Sequence, residues 1–442
     1  MSSATDRLAA IRAAFPREGL FAEKDFLLSP EPFAIDARLA EQLEKLGYRL
    51  LLFVRACNEL YHRSVAGRQP AWIADWLDRG KPPELVEYAR RKEFRAEIPL
   101  VLRPDLVLTE EGFTIAELDS VPGGIGLTGW LNQTYASFAT HDILGGARGM
   151  IEGFRQILGG SGEVLVSQEA ATYKPEMEWL ARESRSEDLH EPIRVHDAES
   201  FIPTSDFRLP TTLYRFFELF DLPNIPNART LMDAAARGEA RVTPPFKPYL
   251  EEKMWFALFW LRPLREFWRR ELGERHFVEL QKHIPYSWLL DPTPLPQHAV
   301  IPGLEIHSWE ELKEFSQKQR DLILKISGFH ETAWGSRSVV LGSDAPQPEW
   351  RAAIEHALDS FATHPFLLQR FHKGRLVEQP FQNAATGAIE TMRGRVRLCP
   401  YYFILEGRAE LRGALATICP PDKKLLHGMK DAILAPTAVR AQ

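Results

Sequence analysis

Two apolar runs joined by a short acidic loop constrain this chain more than any other part of its sequence. The runs LVLT and FTIAEL flank residues 110–112, a loop of two glutamates and one glycine. A three-residue loop that ends in glycine is typical of a β-hairpin whose last loop residue is left-handed. Pairing Thr109 with Phe113 therefore predicts a hairpin and fixes the register of its two strands.

That register brings four charged side chains to one face of the hairpin. Asp105 lies opposite Glu117 and Arg103 opposite Asp119, and side chains two residues apart on a strand share a face. Two carboxylates ~4 Å apart repel by about 1 kcal/mol in water and by about 4 kcal/mol at an effective dielectric constant of 20. Hard oxygen ligands without His or Cys favour magnesium shared with phosphates. The alternative is a solvent-facing hairpin in which Arg103 neutralises one acid.

These residues also carry a resemblance to a known family. The spacing of Arg103, Asp105, Glu117 and Asp119 resembles the magnesium-binding hairpin of circularly permuted ATP-grasp enzymes, in particular the synthetase domain of glutathionylspermidine synthase. That family usually has asparagine at the last position, so Asp119 adds a negative charge. The glycine-rich residues 122–126 that follow predict backbone that approaches another group closely.

A second set of motifs lies in the C-terminal half of the chain. Lys325 lies on a predicted strand over residues 321–326, and a polar loop containing Gly328, Gly335 and Ser336 leads to a return strand. A loop with backbone amides and small hydroxyls can fold over phosphates, and a lysine beside it supplies a positive charge. A plain hairpin with a long turn fits the spacing equally well.

In chain order, these pieces resemble the lid of the ATP-grasp fold, with the hairpin before the lid as in the permuted enzymes. The resemblance implies that Lys253 and Lys325 bind nucleotide phosphates and that residues 328–337 form the phosphate loop. It also implies that Gln369 and Arg370 lie in the hinge segment that contacts the nucleotide. The loop is poorer in glycine than that of the family and contains His330, Glu331 and Trp334.

The predicted fold class is α/β (α+β), an ATP-grasp fold in permuted order with a helical N-terminal region and a small Rossmann-like insert. Apolar residues at helical spacing predict a long helix over residues 36–65. A strand, a helix and a strand over residues 163–195 predict the Rossmann-like unit. The predicted segments are a helical region 1–95, a metal-binding hairpin part 96–145, a Rossmann-like pre-ATP-grasp part 146–240, and the lid with closing strands 241–442.

Composition narrows the functional classes. A net charge of −6 over 442 residues gives no indication of a nucleic-acid partner. The chain has no uncharged apolar run of about 18 residues, so no membrane span is predicted. The N-terminus does not have the pattern of a secretory signal. The three cysteines are too few and too scattered for a disulfide framework or a zinc site. We therefore expect a cytoplasmic protein without a membrane partner, and the oligomeric state is unknown from sequence.

Three further arginines and the tail have weaker patterns. Arg215, Arg397 and Arg412 could face an anion, but a structural or surface role is the favoured interpretation for each. The helices before Arg95 and the region around Tyr214 are candidate linings of the acceptor site. Residues 427–436 have the pattern of a helix end.

The resemblance implies an ATP-dependent carboxylate–amine ligase that forms an amide through an acyl phosphate and releases ADP and phosphate. ATP and Mg²⁺ would be its cofactors, and a small-molecule or peptide carboxylate and an amine would be its substrates. Asp105, Glu117 and Asp119 would hold the metal, and Arg103 would stabilise the transferring phosphoryl group. Two alternatives stay open: an ATP-dependent phosphotransferase, and a non-catalytic module that binds a nucleotide or a peptide.

Overall fold

A computed structural model describes residues 3–16, 19–21, 25–138, 141–185, 192–202, 211–335, 337–426 and 430–440. The chain divides into two compact units that each combine distant segments. The first unit comprises Met1–Leu52, Ala96–Phe246 and Lys373–Gln442, and the second comprises Phe53–Arg95 and Lys247–His372. The four predicted segments follow the chain order instead and stay a prediction. Within the described ranges, every helix is too short or too polar to cross a membrane.

Strands and helices both occur throughout the described residues, so the chain is a mixed α/β protein. The strands are β1 (Leu27–Leu28), β2 (Phe33–Ile35), β3 (Val101–Thr109), β4 (Gly112–Asp119), β5 (Asp142–Ile143), β6 (Gly162–Val166), β7 (Ile193–Asp197), β8 (Thr211–Phe216), β9 (Ala240–Thr243), β10 (Ser287–Leu289), β11 (Leu322–Ile326), β12 (Val340–Leu341), β13 (Phe366–Arg370), β14 (Leu376–Gln382), β15 (Ile389–Leu405), β16 (Arg408–Cys419) and β17 (Ile433–Val439). The α-helices are α1 (Ala4–Ala13), α2 (Ala37–Val65), α3 (Trp72–Leu77), α4 (Pro83–Ala89), α5 (Ile125–Ala136), α6 (Gly149–Ile157), α7 (Lys174–Glu183), α8 (Ala228–Ala236), α9 (Trp255–Trp260), α10 (Arg265–Leu272), α11 (Glu274–His283), α12 (Trp309–Leu312) and α13 (Gln347–Asp359).

The first unit contains a nine-stranded sheet that has the predicted hairpin at one end of its main path. That path runs β1-β17-β16-β15-β3-β4, with β14 paired to β15 and with β2 and β5 paired to β17. The 17-residue strand β15 pairs antiparallel with β3, so its side chains lie beside those of the hairpin. The strand pairing therefore places the candidate acids next to a segment almost 300 residues further along the chain.

The tail differs from its prediction. Residues 433–439 form strand β17, which pairs with β16, so the helix end predicted over residues 427–436 is wrong for the described part of that segment. Residues 427–429 lie outside the described residues. A short apolar run is ambiguous between helix and strand, and here antiparallel pairing with β16 makes the run a strand.

The first unit also contains the predicted strand–helix–strand arrangement. Its second sheet has four strands in the order β7-β6-β8-β9, and every pairing in it is parallel. Helix α7 forms the connection from β6 to β7. This arrangement confirms the predicted strand–helix–strand unit, in which a helical crossover is needed because parallel neighbours cannot be joined by a tight turn.

The second unit contains an antiparallel four-stranded sheet in the order β10-β13-β11-β12. Strands β11 and β12 pair as predicted on either side of the long polar loop. The buried core beneath this sheet includes Leu324, Trp350 and Leu368. Helix α9 ends at Trp260, and Pro263 lies in a short turn before α10 begins.

The glycine-rich turn before α5 approaches other groups closely, as predicted, and those groups belong to the protein itself. Gly124 is left-handed, with φ +84°, at the start of α5. A Cβ on Gly126 would lie 2.5 Å from the Glu176 backbone oxygen. The buried Glu176 carboxylate accepts a hydrogen bond from the Leu127 N–H at 3.1 Å and so caps the first turn of α5. Contact with α7 therefore fixes where this turn lies.

We expect Gly126→Ala to destabilise the protein. The added methyl group would meet fixed backbone of α7, and overpacking of this kind costs about 1–3 kcal/mol. Urea denaturation would measure the loss in the free energy of unfolding. Gly374→Ala is the matched control, since its Cβ would lie 3.3 Å from the nearest atom. Equal stability of the two variants would contradict the close packing at Gly126.

Candidate functional site

The hairpin has the predicted pairing at its charged end, although its loop differs from the prediction. Arg103 pairs with Asp119 and Asp105 with Glu117, but Thr109 pairs with Gly112. The loop is therefore two residues long, and the register shifts by one residue after Asp105. This bulge takes up the extra residue in β4 and restores the predicted pairs. The prediction of the charged register is confirmed, while the three-residue loop is wrong.

The charged side chains of the hairpin form an alternating cluster. Arg103 Nε lies 3.0 Å from Asp105 Oδ1, and a terminal nitrogen of the same guanidinium donates to Asp119 Oδ2 at 2.9 Å. The second oxygen of Asp105 accepts from Arg397 of β15 at 3.1 Å. With Glu117 opposite Asp105, three carboxylates and two guanidiniums share this end of the sheet. The five formal charges leave one net negative charge.

The pKa values of the two aspartates in the cluster are shifted in opposite directions. Burial acts to raise the pKa of Asp105, but Arg103 and Arg397 outweigh it and hold that pKa below its usual value. Burial raises the pKa of Asp119, and the nearby charge of Glu117 adds to this effect while Arg103 opposes it. Asp119 is therefore the more easily protonated of the two aspartates.

Neighbouring side chains on β15 complete the surroundings of Asp105. The Cys399 thiol donates to Asp105 Oδ1 at 3.4 Å. Burial, together with the charge of Asp105, raises the pKa of Cys399 to about 12, which keeps it a thiol. The Tyr401 hydroxyl and the Arg103 guanidinium both donate to the Gly123 carbonyl, at 2.8 and 3.1 Å. The glycine-rich turn is thus held directly against Arg103.

The donor chemistry at the hairpin fits magnesium better than a softer metal. Asp105, Glu117 and Asp119 offer only carboxylate oxygens, and these three acids outnumber the two arginines beside them by one. In the described residues, no group of three or more His, Cys, Asp or Glu side chains is arranged to hold a metal ion. At the hairpin, Arg103 lies between Asp105 and Asp119. The metal assignment of these three acids stays a prediction.

In the second unit, two predicted nucleotide residues contact each other. Lys325 Nζ donates to Gln369 Oε1 at 3.2 Å, and both side chains are buried. They lie on β11 and β13, which pair antiparallel with Ile323 opposite Gln369. Gln369 Nε2 in turn donates to the Ser287 hydroxyl at 3.1 Å. A lysine ammonium at this position can donate hydrogen bonds to phosphate oxygens.

The predicted loop contacts the other lysine. Lys253 Nζ donates to the Ala333 carbonyl at 2.7 Å, so the lysine and the loop lie together. Gly335 is left-handed, with φ +64°, within the same loop. Ser336 lies outside the described residues. Arg370 points away from Lys325: its guanidinium donates to the Gly303 carbonyl.

Long-range pairing explains which site residues the sequence missed. Arg397 and Cys399 lie on the same face of β15 and reach Asp105 only because β15 pairs with β3. Arg397 therefore contacts the candidate site as an ion-pair partner of Asp105. Arg215 does have the expected structural role, since its buried guanidinium donates to the carbonyls of Pro244 and Pro245 at 3.2 and 3.3 Å.

Comparison with known proteins shows a structural likeness to solved structures. No protein-family model matches the chain, and no curated protein matches it. Among solved structures, a glutathione synthetase-like effector from Globodera pallida in its apo form matches 99% of this chain and 97% of its own at 12% identity, with a TM-score of 0.57. A candidate γ-glutamylcysteine synthetase from Methylobacillus flagellatus matches 84% of this chain and 87% of its own at 10% identity, but its TM-score of 0.39 carries no argument.

The first of these matches identifies the fold class. It extends over nearly the whole of both chains, and at 12% identity it shows the fold alone. The mixed α/β chain, with its nine-stranded, parallel and antiparallel sheets, thus has a glutathione synthetase-like fold.

We expect Asp105→Asn to lower the free energy of unfolding by about 3–5 kcal/mol near neutral pH, because it leaves two partly buried guanidiniums without their shared carboxylate. The lowered pKa of Asp105 gives a stabilisation that is present above the ordinary value of 3.8 and is lost as the pH falls through the folded-state pKa. The difference between variant and parent should therefore shrink in acid.

Urea denaturation of both proteins near neutral pH and near pH 3 checks this expectation. Glu410→Gln is the control, because its ion pair with Arg412 is partly exposed and should contribute less than about 1 kcal/mol. A pH-independent difference for Asp105→Asn would contradict the charge balance described at this carboxylate.

Proposed function

We propose that this protein is an ATP-dependent carboxylate–amine ligase with a circularly permuted ATP-grasp arrangement. The observation that carries the proposal is the register of β3 and β4, which pairs Arg103 with Asp119 and Asp105 with Glu117 in a chain of glutathione synthetase-like fold. The order of motifs supports the permutation, since the acidic hairpin precedes the lysines of the lid. A neighbour that is described as glutathione synthetase-like is consistent with amide formation.

In this proposal the acids and the lysines divide the charge of the nucleotide. Asp105, Glu117 and Asp119 would hold Mg²⁺, which when bound supplies positive charge to the β- and γ-phosphates. Lys253 and Lys325 would neutralise further phosphate charge. Loop residues Gly328, Gly335 and Ser336 would contribute backbone amides and a hydroxyl, and Gln369 would orient the nucleotide at the hinge, with Arg370 at its far side.

The chemistry has two balanced steps. A substrate carboxylate oxygen bonds to the γ-phosphorus of ATP while the bond to ADP breaks, and this gives an acyl phosphate. An amine nitrogen then bonds to the acyl carbon and expels phosphate, with loss of one proton. Arg103 would stabilise the transferring phosphoryl group, and Arg397 would hold Asp105 in its charged form. Positioning and charge neutralisation supply most of the catalysis that phosphoryl transfer requires.

The carboxyl edge of the parallel sheet is the proposed acceptor region. Ligands of open α/β sheets bind where the strand order reverses, which here lies between β6 and β8. Ser167 directly follows β6, and Tyr214 lies within β8. The buried hydroxyls of both residues have no hydrogen-bond partner in the described residues. Buried polar groups are normally satisfied, so these two would suit a polar acceptor.

A non-catalytic binding module is the second candidate function. Arg103 already lies between Asp105 and Asp119, and Arg397 takes the other oxygen of Asp105. If these ion pairs persist in the presence of ATP, the acids would not be available to magnesium. Such a protein would bind a nucleotide or a peptide without turnover.

Phosphorus NMR with ATP, magnesium and pooled amino acids, peptides and polyamines tests the proposal. We expect ADP and phosphate to form only when both a carboxylate and an amine are present. A new phosphorylated compound that needs no amine would indicate a phosphotransferase. AMP with pyrophosphate would exclude the acyl-phosphate route. Broadened ATP lines that depend on magnesium, without any product, would favour the binding module.

We expect Glu117→Gln to lower the ATP-dependent rate by about two orders of magnitude or more, because it removes one charged oxygen ligand. Rates measured over a range of magnesium concentrations would show that a higher concentration is needed for the half-maximal rate. Glu111→Gln is the matched control, since it changes the same residue type in the exposed loop of the hairpin. An unaffected rate in Glu117→Gln would refute the assignment of the hairpin.

A further inference from the structure

A buried ion pair lies at the base of the predicted phosphate loop, within the second unit. Lys81 Nζ lies 2.5 Å from Glu252 Oε1, and the two side chains are 1% and 2% exposed. Glu252 directly precedes Lys253, the first lysine of the lid. Replacing such a pair by apolar residues is often neutral or stabilising, so stability alone is a weak reason for its presence.

The second oxygen of Glu252 connects the pair to the loop. It accepts a hydrogen bond from the Ser327 hydroxyl, and that hydroxyl accepts one from the Met254 N–H at 2.9 Å. The Ser327 carbonyl accepts from the Lys253 N–H at 2.8 Å. Ser327 is the residue at which the loop leaves β11. One carboxylate therefore ties the lysine segment to the start of the loop.

The first loop residues lie close to this ion pair. A Cβ on Gly328 would lie 3.0 Å from the Glu252 carboxylate carbon, so glycine allows the close approach. Phe329 is left-handed, with φ +45°, and Lys81 Nζ lies 5.5 Å from the centre of its ring. A non-glycine residue keeps such a backbone only where its surroundings determine it.

Lys81 is itself fixed by the segment that contains it. Arg79 donates to the Phe361 carbonyl at 2.9 Å, and its guanidinium carbon lies 4.0 Å from the centre of the Phe361 ring. Gly80 is left-handed, with φ +70°, next to the Thr363 carbonyl. These contacts hold the lysine against Glu252 from the short turn after α3, independently of the loop.

We propose that Lys81, Glu252 and Ser327 form a positioning device that anchors residues 328–335 and sets Lys253 beside them. The identity of the loop's ligand rests on the proposed function, in which the loop binds the phosphate chain of ATP. None of the three side chains is required to touch the nucleotide. Loss of the device should loosen the loop and weaken ATP binding, while the core of the second unit stays folded.

Hydrogen exchange of the free protein and ATP titration calorimetry with magnesium test this device. Ser327→Ala keeps the ion pair and breaks its connection to Met254. We expect peptides covering residues 328–335 to exchange about tenfold faster, because a hydrogen bond to a charged group is lost, and ATP affinity to fall by a similar factor. Lys81→Met, Glu252→Gln and the double variant complete the set, and the double variant carries no unpaired buried charge.

Glu271→Gln is the matched control, since it breaks another ion pair of the same unit, with Arg63 at 2.9 Å. Faster exchange confined to the loop and to residues 253–254 in Ser327→Ala and the double variant supports the device. Unchanged loop exchange in Ser327→Ala overturns it, as does equal loosening in Glu271→Gln. If the parent protein does not bind ATP but the loop responds as expected, the proposed function fails and the anchor stands.

Discussion

The acidic end of the hairpin depends on Asp105 being held as a carboxylate by Arg103 on its own strand and Arg397 on β15. A buried carboxylate without partners would be protonated or would destabilise the fold. The two guanidiniums make the ionised form the favoured one, and Arg397 thereby joins β15 to β3 by charge as well as by backbone pairing. The three carboxylates outnumber the two guanidiniums by one, and this excess negative charge is the physical reason to propose a cation there.

The second unit has a different arrangement, in which two lysines are positioned near a long polar loop. Lys325 is held by Gln369 within the sheet, whereas Lys253 follows a glutamate whose charge is balanced by Lys81. Both arrangements fix a side chain through neighbours that lie far away in sequence. Sites that act through positioning need such support, because an error of about 1 Å at a reacting group can cost a large factor in rate.

Predictions from sequence succeeded where periodicity and local pairing were sufficient. The long helix α2 and the charged register of the hairpin both follow from the residues they contain. The register survived an incorrect loop because the bulge after Ile115 compensated for the shorter turn. Predictions were wrong where a local pattern was ambiguous, as in the tail, where pairing with β16 turned an apolar run into a strand.

The sequence by itself determined the charged residues of the hairpin, their shared face, and the lysine-and-loop pattern of the lid, because these depend on alternation over a few residues. Only the tertiary structure decided that Arg397 and Cys399 contact Asp105, and that Lys81 pairs with Glu252. Those contacts join residues 171 to 294 positions apart. Such contacts arise from strand pairing and segment packing, which are long-range consequences of burying apolar surface and leave no local pattern in the chain.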